Sequence, residues 1–331
     1  MTAAEQIVAM LRAAGDAEVS SRAICERLGV TRASVWKQVE ALRADGYAIE
    51  ACSRRGYRLA AAPDTPRAAE VLPLLTTRRL GRECQYAEET ASTNRDAAER
   101  AQAGAPEGLV VAAGRQREGR GRMTRAWFSP AAANLYFSVL LRPEVELARA
   151  ASLPLVLGLA AAEALAELAP EAEPRIKLPK DNLAHGRKLC GILCEMQAET
   201  DCVRHIVAGV GVNVNLTREQ FPEELRDRAT SLRSEAGRTF SRAAVLAAIL
   251  NRFEPLYDTW RAEGLAPLVP AVNARDALRG RAIALDQGGR RVEGRAEGVQ
   301  ADGALLLQTA GGLVPVYSGE AHIGSLAAED S

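Results

Sequence analysis

Between Ala60 and Pro66 two prolines, Pro63 and Pro66, flank Asp64-Thr65. A proline has no amide hydrogen to give to a helix or a sheet ladder, so neither element runs through this stretch. The apolar pattern also changes in kind across it. Before it stand short helical segments and a hairpin, and after it come mixed strands and longer helices. That reading makes 60–66 a linker and excludes one continuous core, and 331 residues suffice for two or three domains of ~100–200 residues each. The pattern predicts an α+β multidomain chain divided at 1–62, 63–272 and 273–331.

In the first part, Ile7, Val8, Met10 and Leu11 mark an amphipathic helix, and Ser20 or Ser21 caps a second that carries Ile24 and Leu28 and closes at Gly29. Thr31 is an N-cap for a third helix, in which Val35, Val39 and Leu42 share one face before Gly46. Short helix, glycine turn and longer helix predict helix-turn-helix geometry. Tyr47–Cys52 and Tyr57–Leu59 read as strands around Ser53-Arg54-Arg55-Gly56, a wing with two guanidiniums at its tip. Arg32, Ser34 and Lys37 lie where a recognition helix meets a major groove, and Arg54 and Arg55 where a wing meets phosphates. Glu40 opposes that role. The basic excess here is slight, one lysine and eight arginines against seven acids, so a packing domain with a solvated face is the competing reading.

Gly108–Ala113, Leu135–Leu141 and His205–Val214 are β-like, whereas Leu153–Leu168 and Arg242–Glu263 are helical, which predicts an α/β layer domain. Beyond Arg279, short β-runs alternate with turns at Gln287-Gly288-Gly289, Asp302-Gly303 and Gly311-Gly312, the pattern of a small antiparallel barrel. Leu153–Leu168 is interrupted by Glu163 and Glu167 and falls short of the ~20 residues that span a bilayer, so it reads as a core helix with no membrane role. Met1–Leu11 carries Glu5 and no basic region ahead of an apolar run, so it does not read as a signal peptide and the expected location is cytoplasmic. Six cysteines without a Cys-x-x-Cys and three histidines make zinc an unexpected cofactor. Forty-two basic residues balance forty-two acidic ones, so any nucleic-acid surface is local.

Gly119-Arg120-Gly121-Arg122, followed by Arg125 and Trp127, interleaves guanidiniums with residues that let backbone approach a phosphate. Alone, such a run also fits a flexible basic linker. Ser92-Thr93-Asn94 opens a helix and either caps it or holds a carboxylate or ureido oxygen. Proline fixes the backbone ahead of Asp181 in Lys177-Leu178-Pro179-Lys180-Asp181, and Lys188 begins a strand seven residues on. Asp181 suits a magnesium ion or a hydroxyl and Lys188 a carboxylate or phosphate, or each joins an ordinary ion pair. Gly191, Gly209 and Gly211 on two apolar strands leave a slot for a flat ligand, with Asn213 beside it.

With these motifs in this order, the chain resembles the bifunctional biotin protein ligases that also repress the biotin operon. The likeness covers nearly the whole length. It implies a winged helix-turn-helix, a central mixed-sheet domain related to class II aminoacyl-tRNA synthetases, and a small SH3-like β-barrel. It implies that Ser92, Thr93, Asn94, Gln116, Gly119, Gly191 and Gly209 bind biotin, and that Arg120, Arg122 and Lys188 contact its carboxylate and the adenylate phosphate. Arg122, Arg125, Trp127, Lys177, Asp181 and Asn213 are then the nucleotide-binding residues, and Lys188, Arg120, Arg122 and Asp181 the catalytic ones, with Asp181 the magnesium candidate. The implied substrates are biotin and ATP, with Mg2+. The implied partners are the biotin carboxyl carrier protein of acetyl-CoA carboxylase, operator DNA and a second copy brought in by ligand.

The family's usual Lys-Trp-Pro-Asn-Asp-Leu is here Lys177-Leu178-Pro179-Lys180-Asp181-Asn182, and Met123-Thr124 stands where Arg-Gly is usual. Leu178 removes a large packing surface, Lys180 adds a charge beside Asp181, and Thr124 is strained if its backbone needs positive φ. These departures keep two other readings in view: a ligand-sensing repressor with impaired ligase activity, and a lipoate-type ligase.

Overall fold

In the computed structural model, residues 2–52, 55–121, 125–178, 180–199, 202–287, 290–317 and 320–323 are described. Arg54, Arg122, Met123, Thr124 and Pro179 lie outside them, and with them the expectations placed on Arg54, Arg122 and Thr124.

The amino-terminal unit is built from α1 (Ala3–Ala13), α2 (Ser21–Leu28), α3 (Arg32–Ala44), β1 (Ala48–Cys52) and β2 (Gly56–Ala61). Local chemistry sets each boundary. Thr2 and Glu5 form a capping box on α1, Ser20 caps α2, and Gly29 ends α2 in the left-handed region at φ 66°. Thr31 then accepts from the Ser34 amide to start α3. Ile7, Leu11, Ile24, Val35, Val39 and Leu42 form a small core of their own. β1 and β2 pair antiparallel, and Gly56 at φ 125° lies so close to Val19 that a Cβ would sit 2.1 Å from its carbonyl oxygen. No other residue fits that turn.

The second unit opens with the short helix α4 (Ala68–Val71), followed by β3 (Cys84–Ala87), α5 (Thr93–Gln102), β4 (Val110–Ala113) and β5 (Leu135–Leu141). Next come α6 (Leu147–Ala150) and α7 (Leu153–Leu168), then strands β6 (Arg175–Lys177), β7 (Asp181–Ala184), β8 (Arg187–Glu199) and β9 (Cys202–Val212). Helices α8 (Leu232–Ala236), α9 (Arg242–Glu263) and α10 (Val269–Ala274) complete it. The seven strands lie in the order β3-β4-β5-β9-β8-β7-β6, parallel only between β3 and β4. Strand periodicity sorts side chains to two faces. Phe137, Val139, Ile192, Ala208 and Val210 join α7 and α9 in the main core, whereas Val111, Leu140 and Val207 meet α5 on the other face. The Leu153–Leu168 segment is the packed core helix, with most of its residues buried.

The last strands, β10 (Ala282–Gln287), β11 (Arg290–Val299), β12 (Leu305–Thr309), β13 (Gly312–Val316) and β14 (Glu320–Ile323), form an antiparallel sheet in the order β13-β12-β11-β10-β14.

The expected linker is not a free one. Asp64 is tied to Arg242, and the first unit is clamped to α4: buried Glu70 accepts from Tyr47 Oη at 2.9 Å and pairs with Arg12. Arg67 bridges Asp45 at the end of α3 and Glu88 beyond β3, at 3.2 and 2.7 Å. The prolines break the secondary structure, and charged side chains fasten the break to both neighbours.

Candidate functional site

One face of the mixed sheet carries the cleft. The alternation that sends Cys190, Ile192, Ala208, Val210 and Val212 into the core turns Gly191, Leu193, Gly209 and Gly211 the opposite way. Gly191 sits opposite Gly211 in the β8–β9 pairing, and Leu193 opposite Gly209. The result is a small cleft of about 40 Å³ with a main-chain floor.

Its walls are already packed against those glycines. A Cβ on Gly209 would lie 2.1 Å from Asn94 Oδ1, and one on Gly211 would lie 2.5 Å from the Trp127 ring. Gly191 faces the same indole, where a Cβ would come within 2.8 Å. Trp127 Nε1 is buried and makes no hydrogen bond, so the cleft holds a donor with no acceptor.

Ser92-Thr93-Asn94 enters the cleft at the start of α5. Ser92 occupies the N-cap position, yet its hydroxyl makes no capping bond and the residue is 2% exposed, which separates it from an ordinary cap. The Thr93 amide and hydroxyl both donate to Gln116 Oε1, at 2.9 and 3.2 Å, while Gln116 Nε2 donates to Ser129 Oγ at 3.2 Å. Beneath them lies Ser138, fully buried, 2.8 Å from Thr93 Oγ1 and 2.6 Å from Asn94 Oδ1. Asn94 Nδ2 donates to the Leu193 carbonyl at 3.3 Å and to Glu195 Oε2 at 2.6 Å.

At the other end, Lys188 and Asp181 face each other, with Nζ 3.0 Å from Oδ1. The contact is an ion pair at an angle outside hydrogen-bonding geometry, and Asp181 Oδ1 is buried with no hydrogen-bond donor. Lys188 also stands 5.2 Å from the centre of the Trp127 ring, within cation–π range. Lys180 also lines the cleft. Arg120 and Gly121 line it too: Gly121 N–H donates to the Arg125 carbonyl at 2.7 Å, Trp127 N–H to the Gly119 carbonyl at 2.8 Å, and Arg120 pairs with Glu195 at 3.3 Å.

The fold thus brings Ser92, Thr93, Asn94, Gln116, Arg120, Trp127, Asp181, Lys188, Gly191 and Gly209 to one cleft. Gly119 lies behind it, where a Cβ would meet Ser129 Oγ at 2.5 Å. Lys177 and the exposed Arg125 are not among the lining residues. Asn213 is 4% exposed, and its amide is spent on Asn134 at 3.0 Å and the Lys188 carbonyl at 3.3 Å, so it braces the strand that carries Lys188. Leu178 packs into the main core at 8% exposure.

Reading from sequence passed over Ser129, Ser138 and Glu195. Ser138 had a signal, as the one serine in the apolar run Leu135–Leu141. Cys190 and Cys194 are pushed up to about 12, first by burial and then by Asp181 and Glu195 respectively, which makes both thiols poor nucleophiles.

On the first unit, Arg32, Trp36 and Lys37 stand exposed on α3, Trp36 at 59%, and Ser34 is half-buried. Glu40 is neutralised by Arg43 at 2.6 Å, which removes its repulsion from that face. At the wing, Arg55 pairs with Glu18 at 3.2 Å.

Residues 86–213 match the biotin/lipoate A/B protein ligase family, residues 4–58 a helix-turn-helix domain, and residues 279–324 the biotin protein ligase C-terminal domain. The chain is 36% identical to the bifunctional ligase/repressor BirA of Bacillus subtilis, over 98% of this chain and 99% of that protein. It is 31% identical to the Escherichia coli protein of the same name, over 92% and 93%. Among solved structures it is similar to the biotin protein ligase of Aquifex aeolicus in complex with biotin and ATP. That likeness has a TM-score of 0.63 at 30% identity and covers 73% of this chain and 98% of the other.

Proposed function

Because this chain belongs to the family of bifunctional biotin protein ligases and repressors, we propose that it joins biotin to AMP, passes it to a carrier-protein lysine, and reads DNA through its winged helix. The observation that carries the reading is the convergence of Ser92, Asn94, Arg120, Asp181 and Lys188 on a cleft floored by three glycines. The expected biotin head lies near Ser92, Thr93 and Gln116, and its carboxylate near Arg120, Arg122 and Lys188.

In the first step a biotin carboxylate oxygen attacks the α-phosphorus of ATP and pyrophosphate leaves with the bonding pair. Arg120, Arg122 and Lys188 offset the charge that builds on the phosphate oxygens. Bound magnesium would supply further charge neutralisation, and Asp181 would hold it through Oδ1, which has no hydrogen-bond donor, in place of the ion pair with Lys188. In the second step the lysine ε-amine attacks the anhydride carbonyl and AMP departs. Asp181 orients the amine or the metal, and Lys188 stabilises the oxyanion. Arg125, Trp127 and Lys177 are assigned to the nucleotide side, and Asn213 to bracing the strand that carries Lys188.

We place the first functional boundary at 62/63 and the second at the end of α10, just beyond the expected 272/273, which falls inside that helix; we place the reaction in the cytoplasm and name the carrier protein of acetyl-CoA carboxylase as the acceptor. Biotinyl-5′-AMP orders the glycine-arginine loop and favours a homodimer, which sets two winged helices on a palindromic operator through Arg32, Ser34, Lys37, Arg54 and Arg55. Incubation with biotin, labelled ATP and magnesium, followed for adenylate and for transfer to an acceptor lysine, tests the reading. Absence of both products overturns it, whereas ligand binding without pyrophosphate exchange identifies a sensor.

A further inference from the structure

Among the described residues of the first unit, Trp36 is the one large apolar side chain left exposed, at 59%. It sits on α3 outside the small core that holds Val35 and Val39. An indole is too large an apolar surface to leave in water without a use, and the folding of this unit makes none of it.

Val35, Val39 and Leu42 take the inner face of α3, so Arg32, Ala33, Trp36 and Lys37 lie on its outer side and flank, and all four are exposed. Their charges are unopposed. Arg12, Arg22, Arg43, Arg55 and Arg58 are each paired with an acid, whereas Arg32 and Lys37 have no ion pair among the described residues. Glu40, the acid nearest this face, is taken by Arg43 at 2.6 Å. A polyanion suits two free cations, and the indole between them calls for an apolar feature on that polyanion.

Duplex DNA carries one such feature in its major groove, the C5-methyl group of thymine, beside the O4 acceptor. Indole matches both, with carbon faces for the methyl group and Nε1–H for the oxygen, and it has no acceptor of its own. The amino group of cytosine or adenine at that place would be left without a partner, and guanine supplies acceptors but no methyl. A helical side chain leans over the turn N-terminal to its own Cα, here the turn of Arg32 and Ala33, and the N-terminal part of a recognition helix is what reaches base edges. Ala33 is only a methyl group, which leaves the indole room.

We propose that Trp36 is a specificity-determining residue that reads a thymine methyl group in the major groove, with Arg32 and Lys37 on the flanking phosphates. The proposal rests on the DNA-reading half of the function above. It adds the base that this face selects, in the order thymine, then guanine, then cytosine or adenine.

For the test, randomised duplexes are selected with the full chain, biotin and ATP, in parallel with Trp36→Ala and Trp36→Phe, and enriched duplexes are titrated in gel shifts at fixed salt. The parent enriches thymine at one position of each half-site. Exchange of that thymine for deoxyuridine, which removes the methyl group alone, weakens binding about four-fold per half-site. Cytosine or adenine there costs the parent about ten-fold or more. Trp36→Phe keeps the preference for thymine over deoxyuridine, whereas Trp36→Ala binds both duplexes equally and enriches no base at that position. Equal binding of thymine and deoxyuridine duplexes by the parent overturns the proposal whatever the variants do. So does a preference that survives in a Trp36→Ala chain of parental circular dichroism, or an equal weakening of every duplex in that variant, which assigns the indole to the DNA backbone. Enrichment by the parent without a thymine preference overturns it while DNA reading stands. No enriched duplex at all sinks the DNA reading, and this proposal with it.

Discussion

Arg242, buried at the first turn of α9, reaches back to Asp64: its backbone N–H donates to Asp64 Oδ1 at 2.7 Å and its Nε to Oδ2 at 3.1 Å. The guanidinium also donates to the Asn134 carbonyl at 3.3 Å, so one side chain joins the interdomain connection, the long helix and the end of the central sheet. Asp64→Ala leaves that cation without its counter-ion and should cost about 1–3 kcal/mol, below a fully buried pair because Asp64 is part-exposed. Denaturant unfolding with a midpoint equal to the parent's would show that the pair does not hold the connection.

Lys188→Ala should slow adenylate formation by about 10²–10³-fold, the range seen when one preorganised charge donor is removed from a reaction centre. Pyrophosphate exchange reads this directly. An undiminished rate would remove Lys188 from the chemistry and leave it only its contacts with Asp181 and Trp127.

Gly209→Ala drives a methyl group into Asn94, since the Cβ position lies 2.1 Å from Oδ1. The amide must leave Ser138 and Glu195, and we expect biotin affinity to fall by more than about ten-fold, the equivalent of one displaced, internally satisfied polar group. Calorimetry alongside far-ultraviolet circular dichroism separates that loss from unfolding. Parental affinity in a folded variant would mean that Asn94 does not shape the biotin end.

Glu254 supplies a pH-dependent stabilisation. Burial alone would raise its carboxyl, but the backbone N–H groups of Arg78, Leu80 and Arg79 outweigh burial and hold it below the usual glutamate value. With the folded value depressed, the stabilisation is present above the unfolded-state value of about 4.3 and is lost as pH falls through the folded one. Glu254→Gln should cost about 2 kcal/mol at neutral pH, and the gap to the parent should close on acidification below about pH 4. A gap that stays constant through that range would contradict the linkage.

For the winged helix, Lys37→Ala should weaken operator binding across all sequences and reduce the salt slope by about one, as expected for a single phosphate contact. Gel shifts at several salt concentrations, with and without biotin and ATP, supply the measurement. An unchanged slope would take Lys37 off the DNA.

The long elements were legible because their signals are local. Leu153–Leu168 and Arg242–Glu263 announce themselves by helical apolar content, and Gly29, Thr31 and Gly46 by cap chemistry. The cleft motifs were legible too, since glycine and arginine in those positions have few other uses. Less visible were the groups whose role depends on neighbours far away in sequence. Nothing around Glu195 says that Asn94 and Arg120 will meet on one of its oxygens, and nothing around Asp64 says that a buried arginine will take it. Asn213 looked like a cleft residue from its motif, but Asn134 and the Lys188 carbonyl occupy its amide.

The three glycines on β8 and β9 impose an asymmetry on anyone who would re-engineer this cleft. A floor of bare main chain is already as deep as polypeptide allows, and every replacement at Gly191, Gly209 or Gly211 makes it shallower. Room for a bulkier vitamin analogue must come from the ceiling, by trimming Trp127 or shifting Asn94, while the strands below can only be used to reject.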